Sequence, residues 1–185
     1  MLIDTKLPIL GFSAYSGTGK TTLLSKILPL LKAKGIRTAV IKHAHHNFDV
    51  DHPGKDSHTL RHAGASQMLI ASDKRWALMV ETPEIKNQPQ LSELLQHLVY
   101  KNLDLILVEG FKDEFFSKIE LHRPSLKKPL LHTKDKNIIA VATDEKIQLQ
   151  RDLPQLNIND ADQVSNFIIN YIQLNSHNAQ QINLK

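Results

Sequence analysis

Cysteine is absent from the 185 residues, which excludes disulfides and thiolate metal sites. Aromatic residues make up only 5% of the chain, too few for a platform on which single-stranded nucleic-acid bases would stack. No apolar run reaches the roughly 18 residues that a membrane-spanning helix needs, so no membrane association is expected. The first six residues carry Asp4 and Lys6 and no long apolar core follows, so no secretory signal is expected and the cytoplasm is the default location. Lys and Arg number 23 against 19 Asp and Glu, a net charge of +4, but no basic block forms. That balance suits an acidic small ligand such as a nucleotide and gives no case for a nucleic-acid partner. Repeats and low-complexity segments are missing too.

What is present is ordinary for a globular protein: 41% hydrophobic and 23% charged residues. The length fits one domain, expected over residues 1–175, with a polar tail at 176–185. The chain is organised around PILGFSAYSGTGKTTLL at residues 8–24. An apolar strand (Ile9, Leu10, Gly11, Phe12) breaks into Ser16-Gly17-Thr18-Gly19-Lys20-Thr21-Thr22, and a helical apolar pattern follows. Strand, glycine-rich turn, Gly-Lys-Thr and helix make a phosphate-binding loop. Gly17 and Gly19 let the backbone approach an anion and aim N–H groups at it, and the helix start adds its own. Lys20 is the point charge for the β- and γ-phosphates and the one candidate catalytic group; the Thr21 hydroxyl is placed to ligate Mg²⁺. Ala14 stands where the strict motif has glycine, which is tolerable if its φ is negative.

The first helix is expected over residues 20–34, with an apolar stripe of Leu23, Leu24, Ile27, Leu28, Leu30 and Leu31, a kink at Pro29 and Gly35 as the stop. Residues 37–42 read as a second strand, parallel and next to the first. A polar loop, HAHHNFDVDHPGK, then holds several of the six histidines at 43, 45, 46, 52, 58 and 62. The cluster reads as a loop facing an acidic ligand in preference to a zinc or nickel site, because only His58 and His62 have a helical ligand spacing. Asp49, Asp51 and Asp56 are better suited to Mg²⁺, with Asp49 the chosen candidate. Ser57 reads as the cap of a short helix ended by Gly64. Strands at 66–71 and 75–81 form an antiparallel hairpin at one side of the sheet, and residues 90–100 an amphipathic helix.

LDLILVEG at 103–110 is a second signature, a buried parallel strand with an acid at its tip. Glu109 is the candidate for the second Mg²⁺-linked acid, although its length also allows a pair with Lys20. Residues 118–122 read as an alternating strand, 137–142 as another buried strand and 160–174 as the last helix. Asp144, after that last strand, either accepts two N–H bonds from a guanine edge or caps a following helix. The fold class is therefore α/β: a three-layer, phosphate-loop NTPase type with a mixed, mostly parallel sheet flanked by helices and an antiparallel hairpin at the edge.

Taken in order, AYSGTGKTTL, VIKHAHHNFDVDHPGKDS, SDKRWALMVETP, LDLILVEGFK and IIAVATD resemble the MobB family, the molybdopterin-guanine dinucleotide biosynthesis adaptors. The resemblance runs from residue 7 to 174, and the Ala14 form of the loop is usual in it. It implies a GTP-binding homodimer with weak GTPase activity that assists a MobA-type guanylyltransferase or delivers cofactor to molybdoenzyme apo-proteins. By position, Ser16, Gly17, Thr18, Gly19, Lys20, Thr21 and Thr22 would hold the phosphates, Thr21 and Glu109 serve Mg²⁺ and Asp144 read guanine, with molybdopterin a further ligand near the histidine loop. Two other classes use the same loop: a small-molecule kinase with Arg61, Arg75 or Arg123 as a phosphate clamp, and a nickel- or zinc-delivery GTPase.

Overall fold

The computed structural model describes residues 7–44, 48–82 and 89–182, with side chains described as far as 175. His45 and His46 of the histidine loop and most of the loop at 83–89 lie outside the described residues. In chain order the elements are β1 (Ile9–Ala14), α1 (Lys20–Ala33), β2 (Thr38–Lys42), α2 (Asp56–His62), β3 (Gln67–Ala71), β4 (Trp76–Val80), α3 (Leu91–Leu95), β5 (Leu105–Glu109), β6 (Lys118–His122), β7 (Ile138–Thr143), β8 (Gln155–Asn157) and α4 (Ala161–Ile182). They divide into two compact units, residues 44–94 and the remainder.

In the larger unit six parallel strands form one sheet in the order β2-β5-β1-β6-β7-β8. The residues of β1 and β5 are buried on both faces up to the strand tips, as parallel strands under helical cover must be. On one face Leu10, Phe12, Leu105, Leu107, Ile119, Leu121, Ala140 and Ala142 meet Leu23, Leu24, Ile27 and Leu31 of α1 and Val164 and Ile168 of α4 in one core. Each large apolar side chain removed from water there contributes on the order of 2 kcal/mol. α1 passes through Pro29 on its exposed side and closes at Gly35, whose φ of 77° lets Gly35 N–H bond the Lys32 carbonyl and Ile36 N–H the Leu31 carbonyl. Asp160 caps α4 by accepting the Gln163 N–H.

The second strand is not the neighbour of the first: β5 lies between β1 and β2. Leu105, Ile106, Leu107 and Val108 are fully buried and need neighbours on both sides, whereas β2, with Val40 45% exposed, tolerates the edge. Arg37 fixes that edge; its Nε and Nη2 each donate to the Asp104 carboxylate at 2.8 Å, drawing the Asp104 pKa down to about 2. The strand expected to alternate, β6, is instead buried at all five positions, with Lys118 and Glu120 paired internally. Lys118 Nζ bonds Asp135 at 2.9 Å and the Glu114 carbonyl at 2.6 Å, and lies 4.7 Å over the Phe116 ring. That ring lies against Gly11, where a Cβ would come within 2.3 Å of it.

Three further elements differ from expectation. α3 ends at Leu95, five residues short of the expected helix, and the Tyr100 hydroxyl donates at 2.8 Å to the Leu95 carbonyl left open at that end. β8 was not foreseen; three residues with one buried leucine give no periodic signal. α4 runs through Ile182, well into the segment read as a polar tail.

In the smaller unit β3 and β4 form a two-stranded antiparallel sheet of their own, with Leu69 opposite Leu78. α2 has Lys55, not Ser57, at its N-cap and ends at Gly64, with φ of 117°.

Candidate functional site

The phosphate loop lies between β1 and α1 in the larger unit. Ala14 ends β1 without a positive φ, so the extra methyl group strains nothing. Gly17 and Gly19 have φ of 81° and 96°, in the region that glycine alone enters freely. Thr18 is buried, and its hydroxyl donates to the Tyr15 carbonyl at 2.7 Å, folding the loop back on its entry. Gly19 is the N-cap residue of α1 and provides no side-chain cap, and the first turn of the helix holds no acid. N–H groups at such an end suit an anion. Ser16, Thr21 and Thr22 are exposed beside it.

Glu109 at the tip of β5 pairs with Phe12 in register, which brings it against the loop. Its carboxylate lies 3.5 Å from Lys20 Nζ and 3.9 Å from Lys42 Nζ. Lys42, at the tip of β2, went unnoticed in the sequence because only the sheet order places its strand beside β5. Gly110 has φ of 98°, and a Cβ there would meet the His43 Cβ at 2.7 Å. The room this glycine makes is therefore taken by His43, whose ring stacks obliquely on Phe111 at 4.8 Å.

Arg123, just past β6, ties the site together. Its Nε donates to the Thr18 carbonyl at 3.0 Å, Nη1 to Asp144 and Nη2 to Asn159 at 2.9 Å. The loop is thus fastened to the tips of β6 and β7 and to the turn after β8. The capping alternative for Asp144 falls away, since the next helix after it is α4, which Asp160 caps. Nor is Arg123 a free phosphate clamp. Asn159 carried no recognisable motif and emerges only from this contact. Replacing Arg123 with alanine is expected to weaken nucleotide binding about tenfold, because the loop loses an anchor while its phosphate donors survive. Calorimetric titration with the Mg²⁺ complex of GTP reads this directly, and an unchanged affinity would remove Arg123 from the site.

The smaller unit holds the remaining candidates. Asp49 accepts from Arg61 Nη2 while Arg61 Nη1 bonds Glu81 at 2.8 Å. The Arg61 guanidinium, helped by the Asp51 N–H, pulls the Asp49 carboxyl down to about 2. The His58 and His62 rings stack with centroids 3.9 Å apart, and Asp49, His58 and His62 offer ligand atoms within 4.8 Å of one another.

Comparison with known proteins fits this architecture. The family model described as molybdopterin guanine dinucleotide synthesis protein B matches residues 9–144. A molybdopterin-guanine dinucleotide biosynthesis adapter protein of Escherichia coli (strain K12) is 48% identical over 170 residues, covering 91% of this chain and 95% of that protein. One of the same name from Haemophilus influenzae is 45% identical over 172 residues, 93% of each chain. The crystal structure of Bacillus subtilis MobB has a similar fold, with a TM-score of 0.68 over 89% of this chain and 98% of that one at 22% identity.

Proposed function

Because the chain belongs to the molybdopterin guanine dinucleotide synthesis protein B family, we propose that it is a GTP-binding adaptor in molybdopterin guanine dinucleotide biosynthesis. The single observation behind nucleotide binding is the loop itself: two glycines at positive φ lead into a helix start without side-chain cap, with Lys20 paired to Glu109. In this reading the N–H groups of residues 16–22 and Lys20 hold the β- and γ-phosphates. The exposed Thr21 hydroxyl and Glu109 hold Mg²⁺, which neutralises phosphate charge when bound. Lys42 then balances Glu109 when Lys20 turns to the phosphate.

Turnover is slow in this account. Fast phosphoryl transfer uses a cation aimed at the transferred group, and Arg123 is committed to Thr18, Asp144 and Asn159. A slow GTPase suits an adaptor that works as a homodimer beside a MobA-type guanylyltransferase, with molybdopterin or apo-molybdoenzymes as its further contacts, in the cytoplasm. Asp144 is the proposed guanine reader, its remaining carboxylate lone pairs facing the base while Arg123 holds one oxygen.

Calorimetry with GTP and ATP in Mg²⁺, with phosphate release followed on the same sample, tests this. GTP is expected to bind more tightly, with turnover far below one per second. ATP preference, or γ-phosphate transfer to a small acceptor, would replace the adaptor by a kinase. Asp144→Asn is expected to reduce the preference for GTP over ATP by about tenfold, since the amide presents one acceptor and one donor to an edge that offers two donors. An unaltered preference would leave Asp144 only as an anchor for Arg123.

A further inference from the structure

We propose that Asp49, His58 and His62 form a binding site for a divalent transition-metal ion that prefers imidazole, with Zn²⁺ as the type. The three ligand atoms come from one compact unit and lie within 4.8 Å of each other. Ligands of a tetrahedral Zn²⁺ at bond lengths of about 2.1 Å sit roughly 3.4 Å apart, so small rotations of the exposed Asp49 and His62 and the half-exposed His58 close the set without moving the backbone.

Three features go beyond the coincidence of residue types. His58 and His62 are four apart on α2, so they project from one face of the helix. His62 Nδ1 lies 2.9 Å from the His58 carbonyl oxygen, which can only accept; Nδ1 therefore carries the proton and Nε2 presents its lone pair. An imidazole held by its other N–H to a carbonyl is how metal-ligating histidines are usually oriented. Asp49 is in turn held by Arg61, and Arg61 is shared with Glu81, so two carboxylates and one guanidinium leave this corner with a net negative charge. Arg61 then acts as an outer support that fixes the Asp49 carboxylate, and its cation does not dominate the site.

The donor set also selects among ions. Mg²⁺, to which Asp49 was assigned from the sequence, demands oxygen ligands, whereas one carboxylate with two imidazoles suits Zn²⁺, Co²⁺ or Ni²⁺. Three protein ligands leave a position for water or for a donor atom of a bound molecule.

Tag-free, nucleotide-free protein titrated with Zn²⁺ by calorimetry, and with Co²⁺ by visible absorption, tests the assignment. One equivalent is expected to bind, with intense Co²⁺ bands of four-coordinate type, and excess Mg²⁺ should not displace it. His58→Ala and His62→Ala should each weaken Zn²⁺ binding by more than the roughly 10–100-fold typical of outer support residues, and Asp49→Asn should change the Co²⁺ spectrum. His97→Ala, an exposed histidine outside this unit, should change nothing. An unchanged isotherm in the His58/His62 double variant, folded by circular dichroism, would overturn the proposal. So would displacement by Mg²⁺.

Discussion

Lys20→Ala is expected to lower affinity for GTP by about 100-fold, since a charge-assisted contact to phosphate is worth some 1.5–3 kcal/mol and the lost charge also exposes the phosphates to Glu109. Lys20 Nζ lies 3.5 Å from Glu109 Oε1 and offsets part of its charge. Removal of Lys20 leaves Lys42 Nζ, at 3.9 Å, as the remaining cation near Glu109 among the described ion pairs. Glu109 is then not stranded without a counter-charge, and the fold should survive. Lys20 is the first residue of α1 and the α1 core lies further along, at Leu23, Leu24, Ile27 and Leu31. Calorimetry with the Mg²⁺ complex of GTP, beside a thermal melt, separates the two effects. Unchanged GTP affinity would sink the assignment of the loop; a collapsed melt with lost binding would mean that Lys20 is structural.

The largest effect on stability should come from a residue far from any motif. Glu120→Ala is expected to destabilise the protein by about 3–5 kcal/mol, because it strands buried donors that the carboxylate alone satisfies. Glu120 is 1% exposed in the middle of β6. Its oxygens accept the Leu131 N–H at 2.7 Å, the His132 N–H at 2.9 Å and the His132 Nδ1–H at 3.0 Å. This one side chain therefore organises the segment that crosses from β6 to β7. Without it two backbone donors and a fully buried imidazole lose their acceptor together, and melting should fall by roughly 10 °C in a chain of this size. By contrast, removing the half-exposed pair of Arg37 and Asp104 should cost under about 1 kcal/mol. Urea denaturation of both variants makes the comparison; a loss below 1 kcal/mol for Glu120→Ala would mean that water replaces the carboxylate.

The difference between these two residues reflects what a sequence displays. Lys20 is legible because its neighbours are: two glycines, a strand before and a helix after leave few other uses for the segment. Glu120 lies in KIELH, which alternates in polarity and so reads as a half-solvated strand. Its partners are 11 and 12 residues away in a loop without periodicity, so its burial depends on a tertiary pairing. The sheet order escaped for a similar reason. Local pattern marks β1, β2 and β5 as strands, but which of them sits in the middle depends on how fully β5 must be enclosed. The α1 stop at Gly35 was legible, because a glycine after two lysines in a final turn is a local signal. The shortness of α3 was not, because its apolar spacing continues through Leu98 and Val99 with no local stop signal. Within the site, Arg123 was visible only as a candidate phosphate clamp; its contacts to Thr18 and Asn159, spanning 105 and 36 residues, were hidden in the same way.

The fastening of Thr18 by Arg123 has a kinetic consequence. Holding one residue in a single backbone conformation costs about 1–2 kcal/mol, so a slack loop of five residues would spend much of its intrinsic affinity on becoming ordered. Here folding itself has already met that cost: the carbonyl of Thr18 is tied to Arg123, its hydroxyl to Tyr15, and Arg123 to two further residues. In the proposed reading, a nucleotide therefore meets a loop whose backbone folding has already ordered. Association should be limited by diffusion and charge, not by a conformational step, and differences in affinity between nucleotides should appear in how slowly they leave.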